Sequence, residues 1–317
     1  PSVSPSTATL RTANKPLSSQ PERKIDMFGR FARHALGFFV AVFALLSFAL
    51  PGQTAKILIA QLGNGAVVEF DTETKQIKPF ATGFKSPYGI AEHPITKEVY
   101  VANFGDGTIS KLSPTGAEKT TFASGFDRPT GLTFAANGDL MVICHSDGGL
   151  GKGSVVRVSP TGQKSTFAVG LTAPVEMAFS AADPVSLSSL LAVTSYGGGS
   201  STVLAASVYG VSPTGSLSAL VPYGAKNFLC HGIFVSGSDF YISVFGSGRI
   251  LHKVGSDAPV VFAQSPLLSS VAGMALSDGA IYAVIQNKGT IQKITTVLKP
   301  DPKTGIPTPT AVIEQVG

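Results

Sequence analysis

Pro87-Tyr88-Gly89-Ile90-Ala91, then Val99-Tyr100-Val101-Ala102, then Gly105-Asp106-Gly107, then Thr108-Ile109-Ser110-Lys111-Leu112: this stretch decides the fold. It reads as an inner strand, a second strand, a glycine turn and a third strand whose apolar and polar residues alternate as a half-buried strand requires. Lys119 to Ala123 supplies an outer strand. The unit recurs along the chain. Short apolar strands begin at Ile57, Val99, Leu140, Leu191, Phe240 and Ile281, each followed by a glycine at Gly65, Gly107, Gly148, Gly199, Gly248 and Gly289. The glycines are 42, 41, 51, 49 and 41 residues apart. That period suits a four-stranded blade, so the sequence predicts an all-β, six-bladed β-propeller of four-stranded antiparallel blades.

Two further phrases repeat with it. Ser-Pro-Thr-Gly follows the third strand at 113–116, 159–162 and 212–215. Proline at the second position presets φ for a type I turn, and glycine at the fourth lets the chain leave it. Between blades the phrase is Phe80-Ala81-Thr82-Gly83-Phe84, Phe122-Ala123-Ser124-Gly125-Phe126 and Phe167-Ala168-Val169-Gly170-Leu171, decaying to Phe262-Ala263-Gln264-Ser265. Pro-x-Gly-Ile/Leu, Val-Tyr-Val-Ala and Gly-x-Gly-x-Ile together resemble the NHL-repeat propellers and their relatives. That group includes SMP-30/gluconolactonase, strictosidine-synthase-like and virginiamycin-B-lyase-like proteins. The resemblance covers residues 56–317 and implies the fold; it does not fix an activity.

The ends are uneven. The first blade shows no innermost strand before Ile57, so it is expected to be incomplete. Thr310 to Gly317 reads as the outer strand of the sixth blade, with no further Pro-x-Gly-Ile after it, as expected of a chain truncated at its C-terminus. In such rings the missing strand closes the circle and removes an open sheet edge.

The 317 residues carry a net charge of +5, but six Lys/Arg and two Asp/Glu fall within residues 1–55, leaving eighteen against seventeen beyond. The basicity belongs to the leader and gives no support to a nucleic-acid partner. Residues 1–26 are rich in Ser, Thr and Pro and read as disordered or untranslated upstream sequence. Met27 opens a basic stretch, Ala35 to Leu50 carries no charge, and Ala55 is the best cleavage point, so residues 27–55 read as a signal peptide. The expectation is a secreted or periplasmic monomer of residues 56–317, touching a membrane only if the leader is retained as an anchor.

Propeller geometry gathers the starts of the inner strands and the ends of the second strands at one face, the mouth of the central channel, where ligands commonly bind. Aligned inner strands place Gly89, Gly131, Glu176, Gly232 and Gly273 in one column, and Glu176 is the exception. A carboxylate there serves as a metal ligand or a general acid/base, or else pairs structurally with a neighbour. The preceding column holds Tyr88, Thr130, Val175, His231 and Ala272. Glu176 and His231 are therefore the candidate catalytic residues, and Glu176 and Asn103 the candidate metal ligands, for a divalent ion such as Ca²⁺ or Mg²⁺. Second strands end on Asn103, Cys144, Ser195 and Val244, followed by Phe104, His145, Tyr196 and Phe245. Tyr88, Asn103, Phe104, His145, Tyr196 and Phe245 form the candidate ligand-binding set, the alternative being a packing layer between blades.

Cys144-His145 and Cys230-His231 sit one whole blade apart, too far for a shared soft-metal site or a disulfide, so both cysteines are expected to be unpaired and buried. No nucleophile elbow, P-loop, metalloprotease motif or EF-hand loop occurs. Only 35 of the 262 residues from 56 onward are Asp, Glu, Lys or Arg, and no complete catalytic set is visible. The leading expectation is an exported propeller that binds a small molecule, glycan or protein through its funnel. The alternative is a metal-dependent hydrolase or lyase resembling the SMP-30/gluconolactonase or virginiamycin-lyase-like groups.

Overall fold

The computed structural model describes residues 40–42, 45–46, 55–179, 190–196, 206–222, 229–236, 239–254, 257–300 and 307–317. Six antiparallel sheets follow one another in chain order and form the ring the repeat predicts. The second blade is Pro87–Glu92, Val99–Asn103, Thr108–Leu112 and Lys119–Ser124. The third, from Pro129–Phe134 to Lys164–Leu171, and the fourth, from Pro174–Phe179 to Leu217–Pro222, repeat that order. So do the fifth, from Cys230–Ser236 to Val260–Gln264, and the sixth, from Val271–Ser277 to Pro307–Gln315. The first blade has three full strands of its own: Lys56–Gln61, Ala66–Asp71 and Ile77–Thr82. Short extended stretches at Val40–Val42 and Leu45–Leu46 pair with Pro87–Glu92 and Lys56–Gln61. The rest of the leader, and the glycine-rich stretch around Gly199, lie outside the described residues.

The fixed glycine and the inter-blade phrase turn out to be two halves of one contact. Gly65, Gly107 and Gly248 all have positive φ, at 61°, 69° and 67°. Each accepts at its carbonyl a hydrogen bond from the phrase that follows: Phe84 N–H to Gly65 at 3.0 Å, Phe126 N–H to Gly107 at 3.0 Å, Ser265 N–H to Gly248 at 2.9 Å. A Cβ on Gly65 would stand 2.7 Å from the Phe84 carbonyl oxygen, so both the dihedral and the space demand glycine. The Ser-Pro-Thr-Gly turns close as expected, with Gly116, Gly162 and Gly215 N–H donating to Ser113, Ser159 and Ser212 carbonyls at 2.8–2.9 Å.

Five apolar clusters fill the interfaces between neighbouring blades, one of them spanning both sides of the first blade. Ring closure depends on one of them. Ile57, Val67 and Phe70 of the first blade pack with Tyr282 and Ile291 of the sixth and with Ile90 and Val101 of the second. Thr72 Oγ1 donates to Asp278 Oδ2 at 3.1 Å across the same seam. Lysines fasten the outer rim. Lys119 Nζ donates to the Thr82 and Gly83 carbonyls over the Phe84 ring, and Lys164 Nζ does the same to Ser124 and Gly125 over Phe126.

Candidate functional site: an aromatic funnel face

The inner strands of blades two to six all begin irregularly. Pairing with the second strand slips between Pro87 and Ile90, Pro129 and Leu132, Pro174 and Met177, Cys230 and Ile233, and Val271 and Gly273. A bulge re-aims the side chains it contains, and these bulges contain the two columns that the alignment singled out. The glycines sit where one inner strand meets the next. A Cβ on Gly89 would overlap the Thr130 carbonyl oxygen, and one on Gly131 would lie 2.9 Å from the Val175 carbonyl oxygen and 3.0 Å from Glu176 Oε1. Gly131 thus leaves the volume that the Glu176 carboxylate occupies.

The residue after each second strand is pinned by its backbone to the residue ahead of the inner strand. Phe104, His145, Tyr196, Phe245 and Gln286 N–H groups donate to the carbonyls of Ser86, Arg128, Ala173, Leu229 and Ser270 at 2.8–3.1 Å. Ser86, Arg128 and Ala173 take left-handed φ values of 52°, 53° and 40° to present those carbonyls, a strain that non-glycine residues carry only where the surroundings impose it. The repeat therefore delivers Phe104, His145, Tyr196 and Phe245 to the same level of the ring.

There they meet the inner-strand residues. Tyr88 Oη lies 2.9 Å from His231 Nε2. His231 Nδ1 lies 2.7 Å from the Ala272 carbonyl oxygen. A carbonyl only accepts, so Nδ1 carries the proton, Nε2 is the acceptor, and the Tyr88 hydroxyl is the donor. Burial holds the His231 imidazole neutral, lowering its pKa to about 4; the nearby His145 adds to that and the Ala272 hydrogen bond opposes it. His145 repeats the arrangement one interface away, its Nδ1 2.8 Å from the Pro174 carbonyl oxygen. Tyr88 is pushed far above the usual phenol range, first by burial, then by the charge of Glu176, then by Tyr196.

Ring contacts link the set. Tyr88 lies 6.0 Å from Phe104 and 6.2 Å from His231 between ring centres; Tyr196 and Phe245 lie 6.0 Å and 5.8 Å from His231 and 5.3 Å from each other; Phe104 lies 6.3 Å from His145. Five of the six candidate ligand-binding residues, with His231, are thus one cluster drawn from blades two to five.

Asn103 is placed differently. Its Nδ2 donates to Thr108 Oγ1 and Ser110 Oγ at 2.9 Å each, and its Oδ1 accepts from the Lys85 N–H at 3.4 Å. It ties the second blade together. Glu176 is fully buried, its Oε1 accepting from the Met177 N–H at 3.2 Å. Among the described residues no three His, Cys, Asp or Glu side chains converge. One carboxylate, with two imidazoles whose Nδ1 atoms already hold carbonyls, does not fit the six to eight oxygens that a Ca²⁺ site takes. Cys144 and Cys230 are free and lie in different core clusters; burial raises both thiols, Cys230 to about 12.

Two contributors escaped the sequence reading. Thr194 Oγ1 accepts from the Glu176 N–H at 3.0 Å and donates to the His231 carbonyl at 2.6 Å. Ser243 Oγ accepts from the Gly232 N–H at 2.8 Å and donates to the Val271 carbonyl at 3.2 Å. Each hydroxyl satisfies an amide that the bulge leaves unpaired and fastens it to the next blade. The available signal was a lone hydroxyl inside a buried run, Leu191-Ala192-Val193-Thr194 and Phe240-Tyr241-Ile242-Ser243. An open cleft of about 460 Å³ lies beside the Phe104 end of the cluster, between the first two blades, lined by Leu62, Phe84, Lys85, Ser86, Gly105 and Asp106.

Among solved structures, the chain resembles a streptogramin B lyase at 14% identity over 89% of this chain and 88% of that one, with a TM-score of 0.58. A putative gluconolactonase gives 14% identity, 88% and 89% coverage and a TM-score of 0.59. Regucalcin, a calcium-binding protein from Agrobacterium tumefaciens, gives 13% identity, 87% and 94% coverage and a TM-score of 0.56. The chain is a six-bladed propeller of that broad kind. No protein-family model and no curated protein sequence matches it. At these identities the likeness carries the fold alone.

Proposed function

We propose that this propeller binds a small molecule on the funnel face bounded by Tyr88, Phe104, His145, Tyr196, His231 and Phe245. The observation that carries the reading is the convergence of six ring side chains from four blades, with Tyr196 39% exposed at the lip. Rings packed only to hold blades together would lie within the inter-blade clusters; Tyr88 packs against one of them, whereas Phe104, Tyr196 and Phe245 belong to none. A concave face of aromatic groups with a few fixed polar atoms is the usual composition of a small-ligand site. The test is a fragment screen by saturation-transfer NMR on the full chain. Aromatic fragments are expected to bind the wild type and to lose that signal in Tyr196→Ala and Phe245→Ala; binding unchanged in both variants, or no binding at all, overturns the reading.

A hydrolase or lyase is the second reading, favoured by the Tyr88–His231 hydrogen bond beside the buried Glu176 carboxylate. An acceptor nitrogen with its tautomer fixed and a phenol donating to it are the parts of an acid/base pair. Two of the similar folds belong to a lyase and a putative gluconolactonase. Under this reading Glu176→Gln abolishes turnover while the fold survives. Both readings include an exported monomer with the leader removed.

A further inference from the structure

The relative orientation of the funnel rings bears on what they would hold. A hydroxyl that donates to Nε2 and the nitrogen that accepts it both lie in their ring planes, so Tyr88 and His231 meet edge to edge. Their planes differ by only 26°. Phe104 continues the surface beyond Tyr88 at 33°, and Phe245 beyond His231 at 30°. Phe104, Tyr88, His231 and Phe245 thus follow one another in a row, each ring within 33° of the next, and this row is the floor. Tyr196 stands across it, at 84° to His231 and 76° to Phe245, as an upright wall. A floor and a wall of aromatic faces form the corner of a cage, and aromatic faces are the negative side of the ring quadrupole.

His231 is neutral and adds no positive charge to the floor. Elsewhere the protein covers aromatic faces with its own cations. Lys75 and Lys293 approach Tyr282, Lys111 approaches Tyr100, Lys119 and Lys164 cover Phe84 and Phe126, and Arg157 covers Phe167. Among the described residues no such lysine or arginine sits over Phe104, Tyr196 or Phe245.

We infer that the funnel face recognises an organic cation, a ligand carrying a quaternary or alkyl ammonium head. This rests on the reading that the face binds a small molecule. The ammonium group lies on the Phe245 floor against the Tyr196 wall.

The test is isothermal titration of the full chain with choline, tetramethylammonium and 3,3-dimethylbutan-1-ol, the neutral isostere of choline. Choline is expected to bind at least about tenfold more tightly than the alcohol, since only the charged head gains a desolvated cation–π contact. Tyr196→Leu keeps apolar bulk at an exposed position, so it should fold while weakening choline several-fold. Equal binding of choline and the alcohol overturns the inference, as does undiminished choline binding in Tyr196→Leu or the absence of ammonium binding up to about 50 mM. If neutral aromatic fragments bind while the ammonium probes do not, this inference falls and the small-molecule site stands; if neither class binds, both fall.

Discussion

Lowering the pH should unfold this propeller partly through one side chain, and the size of the effect follows from the geometry around His231. In the folded protein its pKa falls from an ordinary 6.5 to about 4, because the imidazole is buried. A depressed base works against folding in acid: the unfolded chain binds the proton first. Stability is therefore full above pH 6.5 and is lost progressively as the pH falls from 6.5 towards 4. A tenfold difference in proton affinity between the folded and unfolded chain corresponds to about 1.4 kcal/mol, so the whole loss is about 3 kcal/mol. Protonation would also turn Nε2 into a donor, so the Tyr88 hydroxyl would have to rotate from donating to accepting. The clean measurement is a difference. Urea unfolding of wild type and His231→Gln at about pH 7, 5.5 and 4 cancels the titration of every other group, leaving the part that belongs to His231. Wild type should be more stable than the variant at about pH 7, and that advantage should shrink by about 3 kcal/mol by about pH 4. A pH-independent difference would refute the burial argument.

The first blade brings three full strands of its own and is held at the seam by the Phe70–Tyr282 packing and the Thr72–Asp278 hydrogen bond, so its amides at residues 57–71 should exchange faster than those of Leu140–Ile143. Uniform protection measured by hydrogen-exchange mass spectrometry across all blades would contradict this. Export with cleavage after Ala55 gives a mature chain beginning at Lys56; intact-mass measurement of protein recovered from an extracytoplasmic fraction should show that mass, and full-length protein confined to the cytoplasm would contradict it.

The repeat made most of the architecture legible, and the reason is physical. A glycine at positive φ whose Cβ would strike the neighbouring carbonyl admits no other residue without strain, so Gly65, Gly107 and Gly248 hold a visible period. Aromatic residues at the ends of second strands were legible for a related reason: a strand end followed by such a glycine fixes which residue is lifted to the rim. Asn103 shows what the repeat does not reveal. Its amide nitrogen donates to Thr108 and Ser110, two residues of its own hairpin, and sequence position does not reveal which polar partners a side chain finds at home. Thr194 and Ser243 stayed hidden because their work is to satisfy amides freed by bulges, and a bulge is a feature of pairing register rather than of composition.

Glu176 is the point at which the repeat gives way to something local. Four of the five inner strands put glycine at its level, and at Gly89 and Gly131 the adjacent inner strand approaches too closely for a side chain. The fourth blade departs from that rule only with help from both neighbours. Gly131 of the third blade leaves the space, Thr194 on the adjacent strand takes the Glu176 amide, and the same Thr194 hydroxyl fastens the His231 carbonyl of the fifth. The backbone amide of Glu176 and the backbone carbonyl of His231 are consequently joined through one hydroxyl. The main-chain positions from which the carboxylate and the imidazole project are thus tied across two blades, which is the kind of support that a binding or catalytic arrangement needs in order to keep its geometry when a ligand arrives. Repacking at this level would have to move the Thr194 strand. That makes the fourth and fifth blades, where the sequence breaks its own repeat, the part of the ring whose chemistry is least explained by holding the ring together.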